Sequence, residues 1–431
     1  MKKITFLLAM MLVTFTACNN EDFEEISLES KREKISYEVT PEEAVSRLGM
    51  FLSNNGTRAS LNDVTIKTLM KSDFVPATRS SDAEDAPAIY LIDIPDGGCA
   101  VMGADKRLEP VYAIMDETKL SPEDLVVAST RTESTEDEDI QTFVTELIND
   151  AVEADIMGLG DFIIDTTELI PNPLPYQEEW ADTTYNYMVT PLLKTKWHQN
   201  SPFNDKYPFY DEGIRKYAGC GVIAAAQLIY YNRKPSSYNG VNFNWNLISQ
   251  YEYPSNPSNV ANTAVANFIY ALADGLKADI NNISKRTTST SPNDVDTFFR
   301  YSGYPNANFV SYTLSIITSM LSANKPVFIC GWSSNYRGHG WIIDGCKIFK
   351  IDHWIRYNYA SAPSEEYIEY TDNYNLLHCN YGWEGTCDGY YNSGIFGTNN
   401  NLPGDYIDFS IGDLPGTTFN IYDTNLGIMQ Y

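Results

Sequence analysis

The order of its segments predicts an α+β protein in two parts, a smaller α+β unit followed by a larger one. Three observations carry this. In the second half, helical periodicity comes first and strand runs come afterwards, so a wound βαβ sheet is disfavoured. The composition shifts near residue 185, beyond which Tyr, Asn and Trp abound. An earlier set of short strand runs is separated from that half by an acidic stretch and a proline-punctuated connector. The chain has 431 residues with 43% hydrophobic and 13% aromatic content, enough to fill more than one core.

The first element is not part of either unit. "MKKITFLLAMMLVTFTAC" places two lysines before a short apolar run and small residues. That plan is an export signal, too short for a membrane span. "FTAC" resembles a bacterial lipobox, in which cleavage leaves a lipid-modified cysteine as the first mature residue. Residues 1–17 are then the signal peptide and Cys18 the lipidation site. An ordinary signal peptide with an incidental cysteine is the alternative. Residues 18–33 are polar and charged and form a tether. The acidic "NNEDFEE" resembles the sorting tails of Bacteroidetes surface lipoproteins, which implies an exported protein at the outer membrane or cell surface.

The first unit covers 34–170. In "TPEEAVSRLGMFLSN", Thr40 can cap a helix, Pro41 suits its first turn and Glu43 completes a capping box. Ala44, Leu48 and Phe51 share one face. "AIYLIDIP", "GCAVMGAD" and "PVYAIMD" read as strands, the first two joined by the hairpin turn "PDGG". An acidic run then leads into a helix that ends near Ile156, and 171–188 reads as a connector.

The second unit covers 189–431. Helices are expected over roughly 221–231, 258–277, 292–303 and 312–325. Strands are expected in "PVFICGW", "GHGWIIDGCKIF", "EEYIEYTDN", "NLLHCNYGW", "GYYNSG" and the terminal "FNIYD…GIMQY".

Charge and cysteines limit the chemistry. The net charge of −27 excludes the basic footprint that nucleic acid requires. Seven cysteines include Cys18; the other six are sparse and form no disulfide framework. Cys379 and Cys387 are close enough in sequence to pair across a hairpin, and only their separation decides that.

One cysteine is placed unlike the rest. In "KYAGCGVIAAAQLIYY", Cys220 lies between two glycines at the mouth of a helix. A helix N-terminus carries partial positive charge and unpaired N–H groups, which favour a thiolate and can hold a developing oxyanion. A side-chain amide upstream, Gln199 in "WHQNSPFN", is the candidate second donor. The chain has four histidines, and His339 stands between two glycines before an apolar strand, where backbone can approach a substrate. A buried structural cysteine is the competing reading of Cys220.

The blocks "WHQNSPFN", "AGCGVIAAAQLIYYNRKP", "GHGWIIDG" and "LHCNYGWEGTCDGYY" together resemble the streptopain family of papain-like cysteine proteases, over roughly residues 190–395. The resemblance implies a papain-like fold with Cys220 as nucleophile, His339 as its general base and acid, and Gln199 in the oxyanion hole. "IYLIDIPDGGCAVMGADKRLEPVYAIMDE" resembles the propeptide that precedes this family's catalytic domain. That implies an inhibitory prodomain acting as an intramolecular partner, with cleavage expected in 131–156 or 165–188. Protein or peptide substrates follow, with no metal or organic cofactor.

The chain departs from the family pattern at two places. Gly221 stands where the family carries valine, and "NYGWEG" replaces the favoured "NWGWGG". A glycine inside a helix costs about 1 kcal/mol relative to alanine, less in the first turn. Asn380 is the candidate to orient His339, and Trp383 with Tyr381 the candidate aromatic shield over it. His198 reads as cleft-lining or surface, His353 as strand surface, and His378 as packed near the site. Asp344 reads as a turn residue, and a zinc site from His339, Cys346 and Cys379 has no ligand spacing behind it. Two other functions fit the same scaffold: a surface binding module weakened at Gly221 and Glu384, or another acyl-transfer enzyme such as an amidase.

Overall fold

The computed structural model describes residues 37–53, 61–75, 85–95, 97–126, 140–159, 176–252, 257–332, 338–358, 363–396 and 427–431. The signal peptide, the tether and Cys18 lie outside the described residues. Ser36–Ile163 and Pro175–Tyr431 pack as one compact unit; the second unit, Met1–Ile35 with Ile164–Leu174, lies outside the description.

The N-terminal region contains α1 (Pro41–Ser53), β1 (Thr65–Met70), α2 (Lys71–Phe74), β2 (Pro87–Asp93), β3 (Cys99–Gly103), β4 (Val111–Met115), α3 (Pro122–Val126) and α4 (Ile140–Gly158). Thr40 caps α1 by accepting the Glu43 N–H at 3.1 Å, as the capping box predicts. The strand β1 was not expected from the sequence, because "TIKTLM" is short and carries a lysine.

After it come β5 (Tyr176–Val189), β6 (Phe209–Asp211), β7 (Ile214–Arg215), α5 (Cys220–Asn232), β8 (Ser237–Tyr238), β9 (Val241–Asn242), α6 (Trp245–Ile248), α7 (Asn259–Gly275), α8 (Pro292–Tyr301), β10 (Asn308–Ser311), α9 (Leu314–Ser322), β11 (Val327–Trp332), β12 (Gly338–Asn358), β13 (Glu365–Asn380), β14 (Gly389–Asn392) and β15 (Gly427–Gln430). The helices α5 to α9 precede the run of strands β11 to β15, and every ladder among the described strands is antiparallel, so the α+β expectation holds. Ser258 and Ser291 cap α7 and α8 with their hydroxyls, and Pro292 occupies the first turn of α8.

One sheet runs through both halves in the order β1-β2-β3-β4-β14-β13-β12-β11-β15-β10, with β5 also paired to β12. The join is β4 against β14, where Met115 faces Gly389 and Ala113 faces Tyr391. The two expected strands 365–373 and 375–383 are one strand, β13, because β12 runs on to Asn358 and pairs with it throughout. Residues 176–188, expected as connector, are a strand along the upper half of β12. Trp180 stacks on Trp354 there, with ring centroids 6.1 Å apart. The aromatics of this segment, at 176, 180, 185 and 187, do not alternate regularly with the polar residues, and with the prolines just before it this hides its strand character in the sequence.

The cores follow the sheet. On one face, α1 covers Tyr90, Met102 and Ile114 together with Phe349, Tyr374 and Tyr390 from the C-terminal half. On the other, α4 covers Val101 and Tyr112 together with Trp341, Leu377 and Tyr381. A third core packs α5, α7 and α8 against Phe328 and Ile342. The cleavage zone expected at 131–156 therefore includes a helix, α4, whose residues are mostly buried from Ile140 to Val152. Peptide bonds there are closed to a protease.

Candidate active site

Cys220 is the first residue of α5, as its place in the sequence suggests. The residue before it, Gly219, has φ of 95°, and a Cβ there would stand 2.5 Å from the Thr288 carbonyl oxygen. Only glycine makes this turn. Gln199 is fully buried beside it. Its Oε1 accepts the Gly219 N–H at 3.0 Å, and its main-chain oxygen accepts the Ala218 N–H at 2.9 Å. The first bond turns the donor end of the amide, Nε2, away from Gly219. The turn is backed by a loop that the buried Lys216 holds: its Nζ donates to the carbonyls of Asn282, Lys285 and Thr287 at 2.6, 3.1 and 2.8 Å.

His339 arrives on β12 from across the sheet. Its neighbour Gly340 meets Gly221, the neighbour of Cys220: a Cβ on Gly340 would lie 3.2 Å from the Gly221 Cα and 3.5 Å from its nitrogen. The helix mouth and the strand thus touch backbone to backbone, one residue from the thiol and one from the imidazole. This close packing explains the glycine at 340; at 221 a Cβ would instead stand 2.8 Å from the Thr290 Cγ2.

The imidazole itself is enclosed and 6% exposed. Its Nε2 donates to the Tyr381 carbonyl at 3.0 Å. A carbonyl can only accept, so this bond assigns the proton to Nε2 and leaves Nδ1 as the basic nitrogen. Trp341 and Tyr381 lie near the ring, with centroids 6.2 and 6.0 Å away. Phe143 of α4 packs against it at 5.4 Å. Burial pulls the His339 pKa down to about 4, and the Tyr381 carbonyl opposes this only in part. The ring is therefore neutral at physiological pH.

Two expected partners of His339 stand elsewhere. Asn380 does not touch the ring: its Nδ2 donates to the Thr195 carbonyl at 2.7 Å, and its Oδ1 accepts from Gln227 and from Gly382. The direct partner is the Tyr381 carbonyl, a main-chain group that no side-chain pattern can announce. Trp383 is not the shield: its ring meets Tyr217 edge-on at 5.6 Å, and Trp341, Tyr381 and Phe143 surround the histidine instead. Phe143 was missed because it lies far away in sequence, on a helix read only as apolar packing.

The remaining candidates separate from the site. His198 packs edge-on to Phe203, and burial lowers its pKa. His353 bonds Asp372 at 3.1 Å on β12. His378 places Nδ1 2.6 Å from Asp344 and Nε2 3.4 Å from Asp116. Asp344 is thus a mid-strand ion-pair partner, not a turn residue. Burial lowers the His378 pKa, but the two carboxylates outweigh it and raise the pKa to about 10. Cys379 and Cys387 are buried and are not joined by a disulfide. No helix among the described residues is long and apolar enough to cross a membrane.

Residues 197–391 match the family model of the Peptidase C10 family. No curated protein matches the chain. A prointerpain A fragment of Prevotella intermedia is similar in structure, at 17% identity and a TM-score of 0.50, covering 85% of this chain and 98% of its own. That likeness bears on the fold and agrees with the mixed helix and antiparallel sheet described above. Active interpain A cysteine protease of the same organism is similar at 20% identity and a TM-score of 0.39, covering 57% of this chain and 95% of its own.

Proposed function

We propose, from the match of residues 197–391 to the family model of the Peptidase C10 family, that the chain is an exported cysteine endopeptidase precursor silenced by its own N-terminal region. The observation that carries this is Phe143 packed on His339. It buries the only nitrogen pair suited to serve Cys220, and a neutral ring cannot stabilise a thiolate as an imidazolium does. Lipidation at Cys18 is the proposed anchor, which places the protein at the outer membrane or cell surface. Several acyl chains hold firmly, at about 0.8 kcal/mol per buried CH₂.

With α4 withdrawn, His339 Nδ1 takes the proton of Cys220. The sulfur attacks a peptide carbonyl carbon, and the oxygen, now an anion, is held by the Cys220 N–H and Gln199 Nε2. The C–N bond breaks as His339 returns the proton to the leaving amine. His339 then deprotonates a water, which attacks the thioester; the acid leaves and the thiol is restored.

The test uses the full chain after limited proteolysis, with a denatured protein as substrate, beside Cys220→Ala and a thiol-directed epoxide. Cleavage lost in both is expected. Cleavage that persists in Cys220→Ala refutes the assignment of the nucleophile.

A further inference from the structure

We infer that the aim of His339 is set from the nucleophile's own helix, through a relay of two side-chain amides and one peptide group. Gln227 lies two turns below Cys220 on α5, on the same face. Its Nε2 donates to Asn380 Oδ1 at 3.1 Å. The same Oδ1 accepts the Gly382 N–H at 3.2 Å. That N–H and the Tyr381 carbonyl are the two ends of one peptide group, and the carbonyl end receives His339 Nε2–H at 3.0 Å. Since a peptide is planar, fixing its N–H fixes the direction in which its C=O points.

The relay is closed and dry. Asn380 Nδ2 donates to the Thr195 carbonyl at 2.7 Å, and the Thr195 hydroxyl donates to Gln227 Oε1. Thr195, Gln227, Asn380 and His339 are all buried. The carbonyl of Thr195 demands a donor and the N–H of Gly382 demands an acceptor, so Asn380 has one orientation only. On the other flank, Asp388 Oδ1 accepts the Tyr381 N–H at 2.9 Å, which pins the preceding peptide as well.

The chemical effect has two parts. A hydrogen bond to the N–H end polarises the peptide and makes its carbonyl a better acceptor. A better acceptor favours the protonated imidazole, the state that must exist after Nδ1 has taken the thiol proton. The relay also ties the alignment of base and nucleophile to one rigid net. Gln227 and Asn380 are positioning residues here, since neither touches the ring or the substrate. The inference rests on Cys220 and His339 being the reacting pair.

The experiment compares wild type with Gln227→Met, Asn380→Leu and Asn380→Asp in the full chain matured by limited proteolysis. Asn380→Asp keeps an oxygen for the Gly382 N–H; Asn380→Leu does not. Loss of kcat of about 10- to 100-fold is expected for Gln227→Met and Asn380→Leu, with KM unchanged and the alkaline limb of the pH–rate profile moved down. Asn380→Asp should retain more of kcat than Asn380→Leu. The His339 titration, followed by NMR independently of turnover, should move down in Asn380→Leu while the melting temperature shows the variant folded. Equal kcat in Leu and Asp variants, or an unmoved His339 titration in folded variants, overturns the relay. Wild-type turnover that does not depend on Cys220 overturns the underlying reading instead, and the NMR result still decides the relay.

Discussion

Gly221 and Gly340 meet where α5 crosses β12, close enough that a Cβ on Gly340 would lie 3.2 Å from the Gly221 Cα. The contact sets the separation of α5 from β12 at the one level where chemistry needs it. No side chain mediates it, so no side chain can adjust it.

Gly340→Ala should therefore cost activity more than stability. Its methyl would press on the Gly221 backbone and on the Phe328 ring, 3.3 Å away. Overpacking of this kind costs about 1–3 kcal/mol. A shift of about 1 Å at the helix mouth costs on the order of 100-fold in rate. Gly221→Ala should also be costly, because its Cβ would stand 2.8 Å from the Thr290 Cγ2, and the Thr290 hydroxyl donates to the Leu276 carbonyl at 2.6 Å, a bond that turning the side chain would break. Steady-state kinetics beside thermal unfolding checks both; full activity in Gly340→Ala rules the spacing argument out.

Phe143→Ala should give an unprocessed protein that leaks activity. The lost ring weakens the packing of α4 by about 3–5 kcal/mol. The pH dependence follows from the sign of the shift. The His339 pKa is depressed to about 4 by burial, below its ordinary 6.5. The covered form thus binds fewer protons than the uncovered one between those values, and this group's share of the cover's stability is lost as pH falls through that window. Alkylation of Cys220 by iodoacetamide in the intact chain should be slow near pH 7 and gain on the Phe143→Ala rate as pH falls from 6.5 towards 4, with Phe143→Ala the faster throughout. Superimposable profiles would count against the cover.

Gln199 offers a separation of its two bonds. Gln199→Glu keeps an oxygen for the Gly219 N–H but loses the amide donor, so the turn should hold while kcat falls about 100- to 1,000-fold. Gln199→Ala loses both and should also lower the melting temperature. A Gln199→Glu enzyme with wild-type kcat removes Gln199 from the oxyanion hole.

The strand β5 should remain with the mature enzyme. It pairs with β12 from Val189 to Tyr176, and Trp180 stacks on Trp354. Intact mass of the processed form should include Tyr176–Val189, and Trp180→Ala should lower the melting temperature. A stable, active form that begins after Val189 contradicts this.

The placement of Cys220, Gln199 and His339 around one helix mouth follows from local punctuation: a glycine turn before a helix, an upstream amide, a histidine between glycines. The α+β class was legible from the order of periodicities. Asn380 reads in the sequence as the orienter of His339, but the group bonded to the ring is the backbone carbonyl of the next residue, and Asn380 bonds Thr195, Gln227 and Gly382. Gln227 lay in plain view within an apolar helix and reads there as a filler until its bonds are seen. Phe143 and the β4–β14 ladder depend on contacts between distant segments, which periodicity does not encode.

That ladder has a kinetic meaning. Met115, Ile114 and Ala113 pair with Gly389, Tyr390 and Tyr391 through ladder bonds that a cut in the chain between them does not itself break. If the N-terminal region inhibits as proposed, a single nick turns it into a bound subunit, with affinity now set against dilution. Onset of activity then becomes a second event, the departure of that subunit, whose lag lengthens in crowded or concentrated samples and shortens on dilution.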